Sequence, residues 1–355
     1  MATRNITDLV ATASGAFQSD AGGGINLGGA RADATEYYVD GVKVIGTPTI
    51  PQNSIAEVSV LAGGIPARYG DVTGGVVNIT TSGPADKISG GVEVLTSQFL
   101  DGFGYNLVNG NLSGPIIKSK KGDKKPILGF YTAFEYLNQK DRSPSAVGTW
   151  GVREEKLDSL RQFPLIKNEV GSGFNLAAEN LTMKDMYKIK AKPNNDETNF
   201  RGVARIDIQP YKNINIGIGG TFNYRKYHDW IDRYTLLNFE NNPLYTEQNW
   251  RVYGRFNQRF VFGTPKEGEK KKVSAIQYIG YTLQFDYEKN TRKFEDESHG
   301  NNPFNYGYIG KFDLQKSPVF RPTADTFQVV DGDVVRTFNN MIIQQDIQDT
   351  AVAFT

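Results

Sequence analysis

Arginines recur at every fourth position in two stretches of the sequence that alternate polar with apolar residues. Side chains at even spacings lie on one face of an extended strand, so each group of arginines shares a face. A row of guanidinium groups can guide an anionic ligand or bind carboxylates from another part of the chain. A hydrated polar wall is the simpler alternative. The arginines in this row are Arg201, Arg205, Arg251, Arg255 and Arg259.

Nothing in the sequence resembles a pair of nucleophile and base. The 355 residues include no cysteine, which excludes a thiol nucleophile, a disulfide and a cysteine-based metal site. The two histidines, His228 and His299, stand in polar surroundings and give a catalytic dyad or metal site little support. Asp331-Gly332-Asp333 is typical of a hairpin turn, because a calcium loop needs further carboxylates at regular spacing. We therefore expect no catalytic, cofactor-binding or metal-binding residues, and no enzymatic activity.

The composition favours an all-β chain without affinity for polyanions. Lys and Arg number 40 and Asp and Glu number 39, so the net charge of +1 creates no field that attracts nucleic acid. The 38 glycines, 18 tyrosines and 21 phenylalanines favour turns and half-buried pleated surfaces. No run approaches the ~18 apolar residues of a transmembrane helix. Transmembrane β-strands remain open, because their alternating faces keep local hydropathy low.

Short apolar runs separated by glycines predict a small globular domain in the first 86 residues. A short helix is expected at 5–10. Asp40-Gly41 between two apolar runs predicts a tight β-hairpin. The expected strands are 37–39, 42–44, 56–61 and 74–81.

From residue 87 the strands become longer and their alternation becomes regular. In one of them, Ile216 and Phe222 share one face and Asn215 and Asn223 the other. About 11–13 residues per strand exceeds the ~5–6 of soluble sheets and suits a tilted strand that crosses a membrane. Seven strands are expected, at 88–98, 103–114, 127–138, 199–209, 214–224, 249–261 and 273–287.

The connections between these strands alternate between short and long. Outer-membrane barrels show this alternation, with short turns on the periplasmic side and long loops outside. A secreted β-sandwich that binds carbohydrate is the alternative, although its strands are rarely this long. Short links are expected at 115–126, 210–213 and 262–272, and long ones at 139–198, 226–248 and after residue 288.

Three segments near the start of the chain resemble, in order and spacing, the plug domain of TonB-dependent outer-membrane receptors. The run Gly64–Thr81, GIPARYGDVTGGVVNITT, resembles the closing motif of that plug. Arg31–Gly41, RADATEYYVDG, is similar to its Tyr-Tyr-hydrophobic-Asp-Gly strand. Ser54–Leu61, SIAEVSVL, is similar to its Ile-x-x-Val-x-Val strand. The motifs are typical of the Bacteroidetes branch, which includes the SusC-like transporters.

The resemblance implies an all-β fold with a small α+β plug domain, followed by the N-terminal portion of a large antiparallel transmembrane β-barrel of about 22 strands. The plug domain would comprise residues 1–86 and the barrel portion residues 87–355. A spanning barrel must close to pair every backbone group. With about seven strands after the plug, we therefore expect the barrel to be incomplete in this sequence.

The resemblance also implies a function and partners. The protein would be a receptor in the outer membrane of a Gram-negative bacterium that binds an extracellular ligand and imports it with inner-membrane energy. Its implied partners are the TonB complex, outer-membrane lipid, an unknown nutrient ligand, and a SusD-like surface lipoprotein or other outer-membrane proteins. No nucleic acid and no cofactor are expected.

One departure from the family pattern supports an alternative function. The family has an arginine before a glycine where this chain has Gly28-Gly29. The alternative is a receptor-like subunit that no longer transports and serves as a structural or interaction part of a larger outer-membrane complex.

The resemblance suggests roles for residues of the plug and the loops. Arg68, Tyr69 and Gly70 would seat the plug against a carboxylate of the barrel, although an exposed arginine on a turn is the alternative. The arginine row would line the barrel lumen. Ligand contacts are expected at the plug apex, residues 45–53, and in loops that contain Trp150, Trp230, Tyr234 and Asn241.

Overall fold

The chain is mostly β-strand with few helices, as its composition predicts. It divides into two compact units, one of residues 1–151 and 188–297 and the other of residues 152–187 and 298–355. Within the part described, no helix has the length and apolar character needed to cross a bilayer. The computed structural model describes residues 6–19, 23–70, 72–119, 126–167, 174–262, 278–304, 312–322, 326–337 and 342–354.

The first unit opens with a short helix, a pair of three-residue strands and a four-stranded sheet. The predicted helix is confirmed at residues 6–10, residue 5 lying outside the described residues. The elements are α1 (Ile6–Val10), β1 (Ala16–Gln18), β2 (Ile25–Leu27), β3 (Glu36–Val39), β4 (Val42–Lys43), β5 (Ile55–Leu61) and β6 (Val76–Thr81). The sheet has the order β4-β3-β6-β5, with β3 and β6 parallel and the other neighbours antiparallel.

One face of the four-stranded sheet packs against α1 and β2. Val39, Val77 and Ile79 of the sheet meet Val10 and Leu27 in one buried cluster. The alternation along β6 places both of its cluster residues on the same face, as the period of a strand requires. Burial of this apolar surface, at ~25 cal/mol per Å², holds the helix and the short strands on the sheet.

The predicted Asp-Gly hairpin is confirmed between β3 and β4. Asp40 has φ 53° and Gly41 has φ 79°, and a two-residue hairpin of this handedness needs positive φ at both positions. A Cβ atom on Gly41 would lie 3.2 Å from Nη2 of Arg255, so a second constraint favours glycine there.

A seven-stranded antiparallel sheet, here called the wall, forms the rest of the first unit. Its order is β17-β16-β15-β14-β9-β8-β7, and each of the seven predicted strands is confirmed. The wall strands are β7 (Ser89–Thr96), β8 (Asn106–Lys118), β9 (Pro126–Gln139), β14 (Glu197–Tyr211), β15 (Ile214–His228), β16 (Leu244–Val261) and β17 (Tyr278–Glu295). Between β9 and β14 the chain forms β10 (Thr149–Val152), α2 (Glu154–Gln162), β11 (Leu165–Lys167), β12 (Phe174–Leu176) and β13 (Met186–Ile189).

The wall has one polar and one apolar face, as the alternation predicts. Thr221, Arg251 and Glu288 lie opposite one another across β15, β16 and β17 on the polar face. That face is covered by the four-stranded sheet, and Arg251 is only 2% exposed. On the other face Val252 is 46% exposed and Leu283 is 64% exposed. Such an exposed apolar surface is unusual for a protein in water and suits contact with lipid.

Several wall strands extend farther than the sequence predicts. β15 continues to His228, β16 begins at Leu244 and β17 runs to Glu295, so the connections expected at 226–248 and after 288 are partly strand. At these ends both faces of the strands carry polar side chains, so the sequence shows no alternation between polar and apolar residues. The backbone pairing continues there nevertheless. Lys226, Thr246 and Lys293, for example, are paired across the strands on the apolar side.

Other predicted connections differ in content or lie outside the described residues. The long connection expected at 139–198 contains α2 and four short strands. Segments of three or four residues are too short for a periodic pattern to reveal them. Residues 120–125 and 263–277, which cover parts of two short links and the predicted start of β17, lie outside the described residues.

The second unit contains α2 and pairs of strands. β11 and β12 pair antiparallel, and so do β18 (Phe312–Pro322) and β21 (Ile342–Phe354). Between them, β19 (Thr326–Val330) and β20 (Asp333–Thr337) form a hairpin. Its turn residues Asp331 and Gly332 have φ 53° and 89°, which confirms the predicted hairpin turn.

Candidate functional site

Asp40 joins the four-stranded sheet to the wall. Its carboxylate accepts hydrogen bonds from the backbone N–H and the hydroxyl of Thr81, at 2.9 and 2.7 Å, which orient the side chain. The Tyr253 hydroxyl on β16 donates to the same carboxylate at 3.1 Å, and Nη1 of Arg205 on β14 lies 3.7 Å from it. Arg255 donates to the Asp40 carbonyl at 3.1 Å. One hairpin residue therefore contacts three side chains of the wall.

Further polar contacts tie the first 86 residues to the other end of the wall. The Tyr131 hydroxyl on β9 donates to the Asn53 carbonyl at 2.9 Å, and Nδ2 of Asn53 lies 3.3 Å from Oδ1 of Asn109 on β8. The Ser113 hydroxyl accepts from the backbone N–H of Ala85 at 2.7 Å. The polar face of the wall is thus bound at several separate points.

The predicted arginine row lies on the polar face of the wall. Arg201 and Glu135 are directly opposite each other across β14 and β9, which allows their ion pair. Three of the five arginines form ion pairs with carboxylates of the wall itself. Arg201 pairs with Glu135 (3.0 Å), Arg205 with Asp207 (2.9 Å) and Arg251 with Asp286 (2.7 Å), Arg255 contacts the Asp40 carbonyl, and Arg259 lies 4.6 Å above the Tyr278 ring.

Arg68, Tyr69 and Gly70 make their described contacts near the four-stranded sheet. Arg68 is exposed, and its Nη2 donates to the Tyr69 hydroxyl at 3.1 Å. Tyr69 is buried against Tyr38, whose hydroxyl donates to the Tyr69 carbonyl at 2.9 Å. Gly70 ends a single 3-10 turn with φ 68°. Seating by these three residues stays a prediction.

A cavity of about 380 Å³, here cavity A, opens between the predicted apex segment and the wall. Residues 44–50 form one side, and wall side chains of β15, β16 and β17 form the other. The Glu288 carboxylate lies 3.4 Å from the backbone nitrogen of Ile45, which helps to hold the segment in place. Burial raises the pKa of the Tyr37 hydroxyl, which a hydrogen bond with Thr47 partly offsets. The wall residues are Thr221, Asn223, Glu247, Asn249, Arg251, Glu288, Asn290 and Arg292.

A second cavity of about 660 Å³, here cavity B, shares residues 47–50 with cavity A. Its charged lining consists of Arg142, Arg201, Arg225 and Glu135, so arginines predominate. The apex segment expected at 45–53 therefore borders both cavities.

The aromatic and amide residues predicted in the loops are not part of either cavity lining. The Trp230 indole donates to Asp232 at 3.0 Å and lies 5.5 Å from the Lys192 ammonium. The Arg233 guanidinium lies 5.6 Å from the centre of the Tyr234 ring. Asn241 hydrogen-bonds to Asn238 within the same loop, and Trp150 is partly exposed on β10.

At the loop end of the wall, His228 contacts a carboxylate that lies just outside the strands. Its Nδ1 is 2.7 Å from Oδ1 of Asp196, and the His228 side chain is buried. This hydrogen bond is the largest cause of a lowered pKa for Asp196, with burial opposing it. Among the residues that the structure describes, no group of three or more His, Asp or Glu side chains is placed to hold a metal ion.

Sequence reasoning located several of these residues without revealing their contacts. The turn signal marks Asp40, but nothing in the sequence joins it to Tyr253 or Arg205. The period of the strands assigns Asn223 to the polar face, yet it does not show which segment covers that residue. Glu288 lies just beyond the strand predicted at 273–287.

Comparisons with known proteins found likenesses to parts of this chain. No protein-family model matches the chain. A curated relative, the ferric enterobactin receptor PirA of Pseudomonas aeruginosa, is 26% identical over 166 residues, which cover 44% of this chain and 21% of the relative. The chain thus spans about a fifth of that relative's length in the match.

The solved structures found in the comparison include two receptors and a transporter. The siderophore receptor PirA from P. aeruginosa is 17% identical with a TM-score of 0.47, over 81% of this chain and 38% of that one. PirA from Acinetobacter baumannii is 15% identical with a TM-score of 0.42, over 88% and 51%. The outer membrane transporter YddB from Escherichia coli is 10% identical with a TM-score of 0.44, over 81% and 37%.

In these comparisons the likeness is to siderophore receptors and to an outer-membrane transporter.

Proposed function

We propose that this chain is the plug domain and first barrel strands of a TonB-dependent receptor that binds an extracellular ligand and imports it with inner-membrane energy. The observation that supports this most directly is the position of cavity A. The cavity lies between the apex segment and the polar face of the wall, while the opposite face of the wall is apolar and exposed. A ligand held there would contact both the plug and the barrel.

The finer features of the proposal follow from the resemblance in sequence. Residues 1–86 are the plug, and residues 87–355 begin a transmembrane barrel of about 22 strands. The arginine row faces the lumen, where carboxylates of the wall pair with three of its members, whereas arginine at the lipid midplane costs ~2–4 kcal/mol. The SusC-like branch, a SusD-like lipoprotein and the TonB complex are the proposed relatives and partners.

Comparative uptake in the native bacterium tests this function. Strains that lack either the gene for this protein or the gene for TonB would be grown in complex medium, and the depletion of its compounds followed by mass spectrometry. We expect at least one compound whose uptake falls in both strains and returns when the full-length gene is restored. Uptake profiles with no compound dependent on both genes would contradict the proposal.

A second candidate function, a receptor-like subunit that does not transport, is supported by the geometry at Gly28. This residue has φ 59°, and a Cβ atom there would lie 2.6 Å from the carbonyl oxygen of Ala62. An arginine like that of the family would therefore require the backbone to move. Purification from native outer membranes in mild detergent distinguishes the two: a stoichiometric partner complex, together with unchanged nutrient uptake in the deletion strain, favours the structural subunit.

A further inference from the structure

We propose that the apolar face of the wall binds one phosphate-bearing lipid from the leaflet at the loop end of the wall, which in an outer membrane is lipopolysaccharide. In this complex one acyl chain lies in a furrow across four strands, and a phosphate group contacts Lys289. The inference rests on the membrane location in the proposed function, and it does not depend on import.

The furrow crosses the apolar face where four strands carry small or short side chains at the same level. Ala204 on β14 is directly opposite both Thr132 on β9 and Gly220 on β15, and Gly220 is directly opposite Val252 on β16. A Cβ atom on Gly220 would lie 2.7 Å from the carbonyl oxygen of Arg251, so this part of the floor has to stay low. Two adjoining hollows of about 440 and 450 Å³ share the four floor residues.

Larger apolar side chains border the floor on both sides. The floor itself offers no polar group in need of a partner, because the Thr132 hydroxyl donates to the Val203 carbonyl at 3.2 Å. A hydrocarbon chain can therefore lie against it without leaving a hydrogen bond unmade. The border residues are Phe134, Phe222 and Trp250 toward the loop end of the wall, and Phe130, Ile206 and Ile218 toward the opposite end.

The width of the furrow selects one acyl chain as its occupant. Phe130 and Phe134 are four positions apart on β9, so their Cα atoms are separated by ~13–14 Å, part of which their own rings occupy. Carbon atoms pack at ~3.5–4.0 Å, so a single chain that touches both borders needs ~7–8 Å between the border atoms. A transmembrane helix of a partner protein is ~10–12 Å across with its side chains and is too wide to reach the floor.

Lys289 places a positive charge beside this furrow on the same face of the wall. It is exposed and directly opposite Trp250, one of the border residues. No carboxylate among the described residues pairs with it. The other two lysines in these strands on this face are already paired, Lys226 with Glu297 at 3.8 Å and Lys293 with Glu295 at 2.5 Å. A lysine on a lipid-facing surface is costly unless its ammonium group reaches the headgroup region.

The surroundings of Lys289 determine which leaflet supplies the lipid. On its loop side the next pair of residues on this face is polar, with Gln248 directly opposite Thr291. On its other side Tyr287 and Phe285 continue the exposed apolar surface. The lysine stem can lie along the apolar surface while its ammonium group extends toward the loop end. A phosphate at that level would accept charge-assisted hydrogen bonds from Lys289 while the acyl chain of the same lipid reaches the furrow.

The test is binding of lipid to the full-length protein, stripped of lipid in detergent. The probes are lipopolysaccharide and phospholipid from the same bacterium, and the bound amount is determined by fatty-acid analysis. We expect lipopolysaccharide to saturate at about one molecule per chain, with at least a fivefold loss of affinity in both Ala204→Phe, which fills the furrow, and Lys289→Gln. The matched controls should bind like the unchanged protein. They are Ile208→Phe, on the same face of β14 but outside the furrow, and Lys212→Gln, at the opposite end of the wall.

An affinity for lipopolysaccharide that either variant retains would overturn the inference, as would saturable binding of phospholipid alone or of neither lipid. Lys289→Gln changes only an exposed side chain, so its result stands even if the larger ring at position 204 disturbs the fold. The uptake experiment reports separately on transport. A protein that imports its compound but binds no lipopolysaccharide fails this test alone, and one that binds it at this site without importing anything fails only the other.

Discussion

The Tyr253 hydroxyl donates a hydrogen bond to the Asp40 carboxylate at 3.1 Å, across 213 positions of sequence. Tyr253 is almost fully buried on the polar face of the wall, and Asp40 is held from the other side by Thr81 at the end of β6. A positive-φ turn, a sheet strand and a wall strand thus meet at one carboxylate. The strength of this junction determines how firmly the proposed plug is held.

Replacing the carboxylate should weaken the junction. Asp40→Asn keeps the shape of the side chain but turns one acceptor into a donor, so a bond from Thr81 or Tyr253 is lost. Hydrogen bonds to charged groups contribute ~1.5–3 kcal/mol, and we expect the free energy of unfolding in urea to fall by about that amount. Asp33→Asn, at an exposed carboxylate, is the control and should change it by less than ~0.5 kcal/mol. Equal losses in the two variants would show that Asp40 has no special role.

A double-mutant cycle isolates the contact between the two sheets. Tyr253→Phe removes the hydroxyl alone, and its effect should be smaller in the Asp40→Asn background than in the unchanged protein. The expected coupling is about 1 kcal/mol, because neighbouring groups that share a hydrogen bond are not additive. Strict additivity in urea unfolding would mean that the Tyr253 hydroxyl is not coupled to the charge of Asp40.

The hairpin glycine offers a matched pair of variants. Gly41 has φ 79° and Gly46 has φ 71°, so alanine is strained at both. At Gly41 the added Cβ also meets Nη2 of Arg255 at 3.2 Å, whereas nothing lies within 4 Å at Gly46. We expect Gly41→Ala to reduce stability by ~1 kcal/mol more than Gly46→Ala, because it disturbs the bond from Arg255 to Asp40. The comparison uses thermal unfolding. Identical shifts of the unfolding temperature in the two variants would show that the close contact with Arg255 does not affect stability.

The sequence predicts local features of this fold well and long-range contacts poorly. The parity of Val252 and Arg251 in β16 suffices to place them on opposite faces, because successive side chains alternate. The turn at Asp40-Gly41 follows from the need for positive φ. The position along the wall strands at which Asp40 makes its contacts depends on how the two sheets pack. No local pattern in the sequence encodes this packing.

In the candidate site too, the sequence predicts local features better than long-range contacts. Asn223 and Asn249 are recognisable as polar-face residues one by one, whereas Asn290 lies beyond the strand that the sequence predicts at 273–287. Their alignment into a row depends on the register of three strands whose ends are hidden by polar residues on both faces. The resemblance predicts the apex segment at 45–53. The structure shows that this segment borders two cavities with different linings.

Stability should depend on acid pH through Asp196. The hydrogen bond from His228 lowers the pKa of Asp196 in the folded chain. A carboxyl group with a lowered folded pKa contributes stability above its unfolded value of ~3.9 and loses it as the pH falls through the folded value. His228→Leu should therefore lower the unfolding temperature more at about pH 5 than at about pH 2.5. In an Asp196→Asn background this dependence should vanish, and its persistence there would assign it to another group.

The apolar face of the wall should be in contact with lipid, and Trp250 provides a probe for it. Trp250 lies opposite Phe222 on the face that carries Val252, within 5.2 Å of the Tyr287 ring. In full-length protein reconstituted into vesicles, a variant that keeps Trp250 alone should lose fluorescence when the acyl chains carry bromine. Bromine quenches only at close contact, so a variant that keeps Trp230 alone, in the connection beyond β15, should be much less affected. Equal quenching of the two, or quenching of Trp230 alone, would mean that the apolar face does not meet the bilayer, since a lipid-facing band of ~25 Å would include Trp250 and exclude the loops.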